Sequence, residues 1–284
     1  MMRHSGVRGG LAGFLTILAV SLGAGLASSA PVSVDLQLVL AVDVSGSVDE
    51  VEGRLQRMGY VNAFRSPAVL RAIQSGRHKS IAVTYMEWAG FDFQRVVVGW
   101  RRIHDGASAE AFAYLLSQAP IGVGPYTSIS GAIDFALPLF ENNGFTSERR
   151  AIDISGDGPN NSGEYVTNAR DRAIRTGVTI NGLPIMNNRP SPWGRMPMPN
   201  LDLYYRKCVI GGRRAFLVVA NDFKSFGRAI RRKLILEIVG LPAGEGQRQA
   251  HGLRGPEAIP VSASRVAPPC DAGERRRRSW TDEY

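Results

Sequence analysis

Along residues 32–42 (VSVDLQLVLAV) the chain starts by alternating polar and apolar positions and ends as an unbroken apolar run. A strand covered on both faces has this signature, so the run predicts a central sheet strand that aims its end at Asp43. After Ser47, the residues Val48, Val51, Leu55, Met58, Val61 and Phe64 recur at helical spacing. Asp49, Glu50 and Glu52 fall in the first turn of that helix, where the dipole favours acids. The helix is expected to end near Ser66-Pro67, with a second short one over 68–74.

Residues 79–88 (KSIAVTYMEW) and 95–103 (RVVVGWRRI) are rich in branched and aromatic side chains, and a turn-like stretch around Gly90 separates them. They predict two strands able to pair as neighbours. Helical patterns follow over 109–118 and 130–140, the second entered through the loop Gly122-Val123-Gly124-Pro125-Tyr126-Thr127. A strand over 149–154 (RRAIDI) leads into Ser155-Gly156-Asp157-Gly158-Pro159-Asn160-Asn161, a string too rich in turn formers to stay extended. Beyond it the pattern gives helix 164–176, strand 178–185, an irregular Pro-rich segment 187–200, a short helix or turn 201–208, strand 215–219 and helix 223–239. Such alternation predicts an α/β fold, a doubly wound and mostly parallel sheet with helices on both faces. From 241 to 284 Gly, Pro, Ala, Gln and Arg dominate without apolar periodicity, so this segment is expected as a tail.

The first 30 residues follow a different rule. Arg3 and Arg8 precede an apolar run over 11–26, which gives way to Ala27, Ser28, Ser29 and Ala30. Charged, apolar and small-residue zones in that order predict an export signal over 1–30, although Pro31 is a poor first residue after a cut at Ala30. Three glycines dilute the run, and a stable span needs about 20 strongly apolar residues, so a retained anchor is the less favoured outcome. The domain organisation expected is therefore signal 1–30, one domain over 31–240 and tail 241–284. The product would be periplasmic or secreted, where the only two cysteines, Cys208 and Cys270, are free to pair. One buried thiol and one exposed thiol is the alternative.

Hydrophobic residues make up 44% of the chain and charged residues 21%, which argues against disorder of the whole and against a multi-span membrane protein. The formal net charge of +9 is scattered. Its one dense run, Arg275 to Arg278, is flanked by Asp271, Glu274, Asp282 and Glu283, the pattern of a solvated tail, and no aromatic-interleaved basic patch supports nucleic-acid binding. Contact of that run with acidic lipid headgroups or an acidic protein is open, without a membrane role being predicted.

Candidate chemistry lies where strands end. Asp43, Ser45 and Ser47 place three oxygen-bearing side chains at alternate positions as the first strand opens into a loop containing Gly46. In open α/β sheets ligands bind beyond the carboxyl ends of the strands, and the loops bearing Thr127 and Asp157 belong on the same rim. Two carboxylates and three hydroxyls suit a hard cation such as Mg²⁺, with Mn²⁺ or Ca²⁺ as alternatives. Helix capping is the competing role for Asp43, Ser45, Ser47 and Thr127. Asp153 competes with Asp157 but falls inside the strand. Trp88, Tyr204 and Tyr205 are expected as packing, and Asn160 and Asn161 as turn formers or as outer partners of the metal site.

This arrangement resembles the metal-ion-dependent adhesion site (MIDAS) of von Willebrand factor type A domains. Asp43, Ser45 and Ser47 match the DxSxS element, Thr127 the isolated threonine before a helix, and Asp157 the distal aspartate. The likeness spans roughly residues 35–239. Within that superfamily the chain is most similar to a bacterial branch of exported proteins of unknown function, DUF1194. Glu87-Trp88-Ala89-Gly90, the string 155–161, Tyr204-Tyr205 and Val209-Ile210-Gly211-Gly212 carry that similarity. The resemblance implies a binding module whose metal takes a carboxylate from a protein or peptide partner, and in some members closure of the metal shell reorganises the loops and the last helix. An enzyme is not expected. Ser45 stands where a phosphate-transfer site would want a second aspartate, there is no GxSxG elbow, and no general base accompanies the five candidate ligands. A metal-dependent phosphate or ester hydrolase and a metal-free structural domain are the alternatives.

Overall fold

The computed structural model describes residues 1–2, 30–187, 189–191, 194, 196–240 and 265–281. The chain divides into two units, Met1–Ala30 and Pro31–Tyr284. Almost all of the expected signal, and the stretch 241–264 of the expected tail, lie outside the described residues. Among the described residues no helix is long and apolar enough to cross a membrane.

A five-stranded sheet forms the centre, in the order β4-β3-β2-β6-β7. Its strands are β2 (Gln37–Asp43), β3 (Ile81–Trp88), β4 (Gln94–Ile103), β6 (Arg150–Gly156) and β7 (Thr179–Pro184). All neighbours run parallel except the edge pair β3-β4. The mostly parallel α/β class is borne out, and the two segments separated by Gly90 do pair with each other.

Every residue of β2 is buried, as its apolar run demands. Leu38, Leu40 and Val42 pack on one face with α1 (Glu50–Phe64), α3 (Gly106–Gln118) and α7 (Phe226–Val239), while Val39 and Ala41 pack on the other with α4 (Ile129–Ala136) and α5 (Val166–Arg175). Each fully buried leucine contributes about 1.5–3 kcal/mol, and Leu40→Ala would cost roughly 2–5 kcal/mol because the cavity cannot close. Helix α1 begins where the sequence places it, with Asp49 and Glu52 forming a reciprocal capping box. Helix α2 (Pro67–Gln74) follows it.

Several expectations are corrected. The first strand is split: β1 (Val32–Ser33) pairs with β5 (Phe145–Thr146) in a separate two-stranded sheet. Between β1 and β2 the Asp35 carboxylate accepts hydrogen bonds from the backbone of His78 and Ser80. The helix expected over 130–140 is α4 followed by a 3₁₀ turn, Leu137–Phe140, where Pro138 cannot extend the α-helical ladder. Residues 215–219 form no strand. They run beside β7 with isolated bridges only: the Phe216 amide donates to the Asn181 side chain, and Pro184 has no amide to continue the ladder between the bridges at Leu217 and Ala220.

The largest correction concerns the end of the chain. Residues 272–281, expected as solvated tail, form helix α8 (Ala272–Thr281), counted after the short α6 (Leu201–Tyr204) and α7. A Cys208–Cys270 disulfide ties its start to the body, so the pairing left open by the sequence is made. Arg275 keeps a local ion pair with Asp271, but Arg277 packs back onto the domain.

Candidate metal centre

Strand β2 ends at Asp43, and the chain turns at once. The Ser45 amide donates to Asp43 Oδ1 at 2.7 Å, which folds the loop back over the carboxylate. Ser45 Oγ then lies 3.1 Å from Ser47 Oγ, and Ser47 Oγ donates to Asp157 Oδ1 at 2.6 Å. Alternate spacing in the sequence has become convergence of side chains on one point. Capping does not compete for these groups, because the N-cap of α1 is Asp49.

Thr127 comes from the loop before α4, and it too is released from capping, since Ser128 caps that helix through the Gly131 amide. Asn161 grips Thr127 from both sides: its side chain accepts from the Thr127 amide at 2.9 Å and its own amide donates to the Thr127 carbonyl at 2.8 Å. Asn160 adds one more bond across, accepting from the Ser130 amide at 2.9 Å, while it donates to the Glu164 carbonyl on its own side. The pair therefore staples the Thr127 loop to the Asp157 loop. Thr127 Oγ1 lies 3.6 Å from where a Cβ on Gly158 would be.

Asp157 falls immediately after β6, and both it and Asp43 are buried. Burial pushes the Asp43 carboxyl up to about 8, with the Asp157 charge adding to the effect against the Ser45 hydrogen bonds. Burial likewise raises Asp157 to about 6, opposed by the Ser47 hydroxyl. Among the described residues Asp43 Oδ2 has no hydrogen-bond partner. Among the described residues no lysine or arginine forms an ion pair with either carboxylate. Two acids thus share a small buried space with hydroxyls and, among the described residues, no balancing charge, and a divalent cation would satisfy that donor set. The set contains only two carboxylates: among the described residues no three His, Cys, Asp or Glu side chains gather around one point.

Asp153, the rival of Asp157, is engaged elsewhere. Its Oδ1 lies 2.7 Å from Lys233 Nζ on α7, in a buried triad completed by Glu237. Trp88 is fully buried, as expected of a packing residue.

Three features escaped the sequence. Tyr205, expected only as packing, has a buried hydroxyl near Asp43 that finds no partner among the described residues, and both Asp43 and Asp157 help burial to raise its pKa. Gly156 makes room for that approach. Glu87 accepts from Arg57, from Arg95 and from the Gly122 amide, anchoring the loop that runs on to Thr127. A lone Glu within a strand pattern that otherwise buries apolar residues was the available signal for the last of these.

A cleft of about 450 Å³ opens over the site, lined by Ser45, Ser47, Thr127 and Asp157 on its polar side and by Val123, Tyr126, Met196 and Met198 among its apolar groups. Such a mixture can hold a hard cation at the floor and a carbon-rich ligand against the walls.

Among curated proteins none matches the chain. Proximal thread matrix protein 1 from the mussel byssus superposes with a TM-score of 0.52 at 12% identity, covering 72% of this chain and 47% of its own. That protein has also been solved with a zinc-occupied MIDAS motif. The pilus adhesin SpaC from Lactobacillus rhamnosus GG superposes at 0.53 and 12% identity, covering 72% and 31%. A von Willebrand factor type A protein from Catenulispora acidiphila gives 0.48 at 13% identity, covering 72% and 43%. The chain thus spans about half the length of the mussel protein and about a third of the adhesin, and the likeness is one of fold. The family model described as "Protein of unknown function (DUF1194)" matches residues 33–242, well over half of the 284, and the chain belongs to that family, on a fold shared with the mussel byssus protein and the pilus adhesin.

Proposed function

We propose that Asp43, Ser45, Ser47, Thr127 and Asp157 hold one divalent cation, with Mg²⁺ the first choice, and that the cation binds a carboxylate of a protein or peptide partner. The observation that carries this is the buried, uncompensated pair Asp43 and Asp157 among the Ser45 and Ser47 hydroxyls. Hydroxyl ligands lend no charge. A cation held by three of them and two carboxylates, some through water, keeps electropositive character toward the cleft and a coordination position for an incoming anion. Recognition, not turnover, is the role: among the described residues that line the cleft, no side chain besides the proposed ligand Asp157 offers a general base.

Export to an oxidising compartment belongs to the same proposal. The Cys208–Cys270 disulfide supports it, since such bonds persist where thiols are not kept reduced.

The test is calorimetric titration of Mg²⁺ and Mn²⁺ into chelator-treated protein, beside Asp43→Ala. About one ion per chain should bind, and binding should disappear in the variant. A folded wild-type protein that takes up neither ion would overturn the proposal.

A further inference from the structure

Helix α8 lies beyond the family match, yet it touches two of the three loops at the cleft. Gly273 presses on the Asp157 loop so closely that a Cβ there would fall 1.9 Å from the Asn160 carbonyl oxygen. Only glycine lets two backbones approach this far. One residue on, Glu274 Oε1 accepts from Asn160 Nδ2 at 2.7 Å. On the next turn the Arg277 guanidinium lies over the Tyr126 ring, 4.4 Å from its centroid, and donates to the Asn161 carbonyl at 3.1 Å. Tyr126 directly precedes Thr127, and Asn161 is the residue that grips Thr127. Arg277 therefore spans both loops at their junction.

The helix is held from behind as well. The disulfide fixes Cys270 to Cys208, Tyr204 Oη donates to the Cys270 carbonyl at 3.4 Å, and Arg265 makes a two-pronged contact with Asp202 at 2.6 and 3.1 Å. Gly273 and Arg276 form part of the cleft wall.

We infer that α8 is a clamp on the ligand cleft, with Gly273, Glu274 and Arg277 as positioning residues that fix the spacing of the Thr127 and Asp157 loops. The effect on metal affinity rests on the function proposed above, but the clamp itself is independent of it. A covalent tether makes the docking intramolecular, so a few weak contacts suffice to keep the helix seated.

Hydrogen exchange of the metal-free protein tests the clamp directly. The Thr127, Ser130 and Asn161 amides are bonded across the two loops and report their docking. In Arg277→Ala, exchange at these amides should quicken roughly fivefold while that of β2 and α1 stays unchanged, as loss of a local contact requires. The Cys208→Ala/Cys270→Ala protein should show a larger effect at the same amides, and Mn²⁺ Kd should rise in parallel in both. If the double variant does not fold, Arg277→Ala and Tyr126→Leu decide. Unchanged exchange at the three amides in Arg277→Ala and Tyr126→Leu, or an equal increase throughout the domain, overturns the clamp. Wild-type protein that binds no Mn²⁺ but shows the local exchange effect retains the clamp and loses the metal.

Discussion

Gly156 leaves no space beside Asp43: a Cβ at position 156 would stand 2.7 Å from Asp43 Oδ2 and 2.9 Å from the Tyr205 hydroxyl. Either the backbone of β6 or the Asp43 carboxylate must move to admit one. Gly156→Ala should therefore cost about 1–3 kcal/mol in urea unfolding of metal-free protein. It should also weaken Mn²⁺ binding roughly tenfold or more, as displaced outer partners do. Full affinity in the variant would mean that Asp43 is not a ligand held in place by Gly156.

Metal should appear as stability. Free Mg²⁺ at about a hundred times its Kd adds about 2.7 kcal/mol to a folded state that alone binds it. For a domain of this size the melting temperature should rise on the order of 5–10 °C, and EDTA should reverse the gain. Asp43→Asn should abolish the rise without lowering the metal-free melting temperature, because it removes a buried acid whose Oδ2 has no partner. A variant that melts lower in EDTA would show that the carboxylate stabilises the fold by itself.

The triad behind the site gives a pH dependence. Burial drives the Asp153 carboxyl up to about 7 in spite of Lys233, and Glu237 reinforces the rise. Burial works against the Lys233 ammonium, but the two carboxylates outweigh it and hold its pKa above the usual lysine value. The folded chain keeps on Asp153 a proton that the unfolded chain has already lost, so stability falls as pH rises from about 4 to about 7. The Asp43 and Asp157 carboxyls, raised in the same way, add to that slope. Asp153→Asn should make it shallower in urea denaturation, and an unaltered slope would assign it wholly to those two groups. Lys233→Met, which leaves Asp153 facing Glu237, should cost about 3–5 kcal/mol at pH 8 and clearly less at pH 5.

Glu87 should matter at a distance from the cleft. It faces the almost fully buried Arg57, which also donates to the Leu116 and Ala119 carbonyls. Glu87→Gln leaves that guanidinium without its counter-charge and frees the Gly122 amide, for an expected loss of about 3–5 kcal/mol by thermal unfolding. Arg95 is more than a third exposed, so Arg95→Ala should cost under about 1 kcal/mol. A loss as large in Arg95→Ala as in Glu87→Gln would show that Arg95, and not Arg57, is the counter-charge that matters.

What could be read in advance was what strands impose. An apolar run covered on both faces put β2 in the centre, and its end placed Asp43 on the ligand rim. The turn-rich string after residue 154 separated Asp157 from Asp153 for the same reason. The hydroxyl spacing of Asp43, Ser45 and Ser47 was legible because it is local. Contacts that depend on distant partners were not. Tyr205 gave no sign that its hydroxyl would reach Asp43, and Gly156 looked like one more turn residue. Residues 215–219 carry a strand pattern, but the Asn181 side chain claims the Phe216 amide and Pro184 of β7 offers none, so no continuous ladder forms. Helix α8 has a polar, arginine-rich sequence with no apolar stripe; a disulfide, a glycine contact and a ring under Arg277 seat it in place of a hydrophobic face.

The Cys208–Cys270 bond bears on how this chain should be cut for expression. A fragment ending at residue 242, where the family match stops, would retain Cys208 at the bottom of a packed pocket and discard its mate. The same cut would strip Asp202 of Arg265, Asn160 of Glu274 and the Tyr126 ring of its cation. Such a fragment would be an odd-thiol protein with one wall of its cleft missing, prone to cross-link with itself under air. Ligand screens run on it would sample a surface that the whole chain does not present.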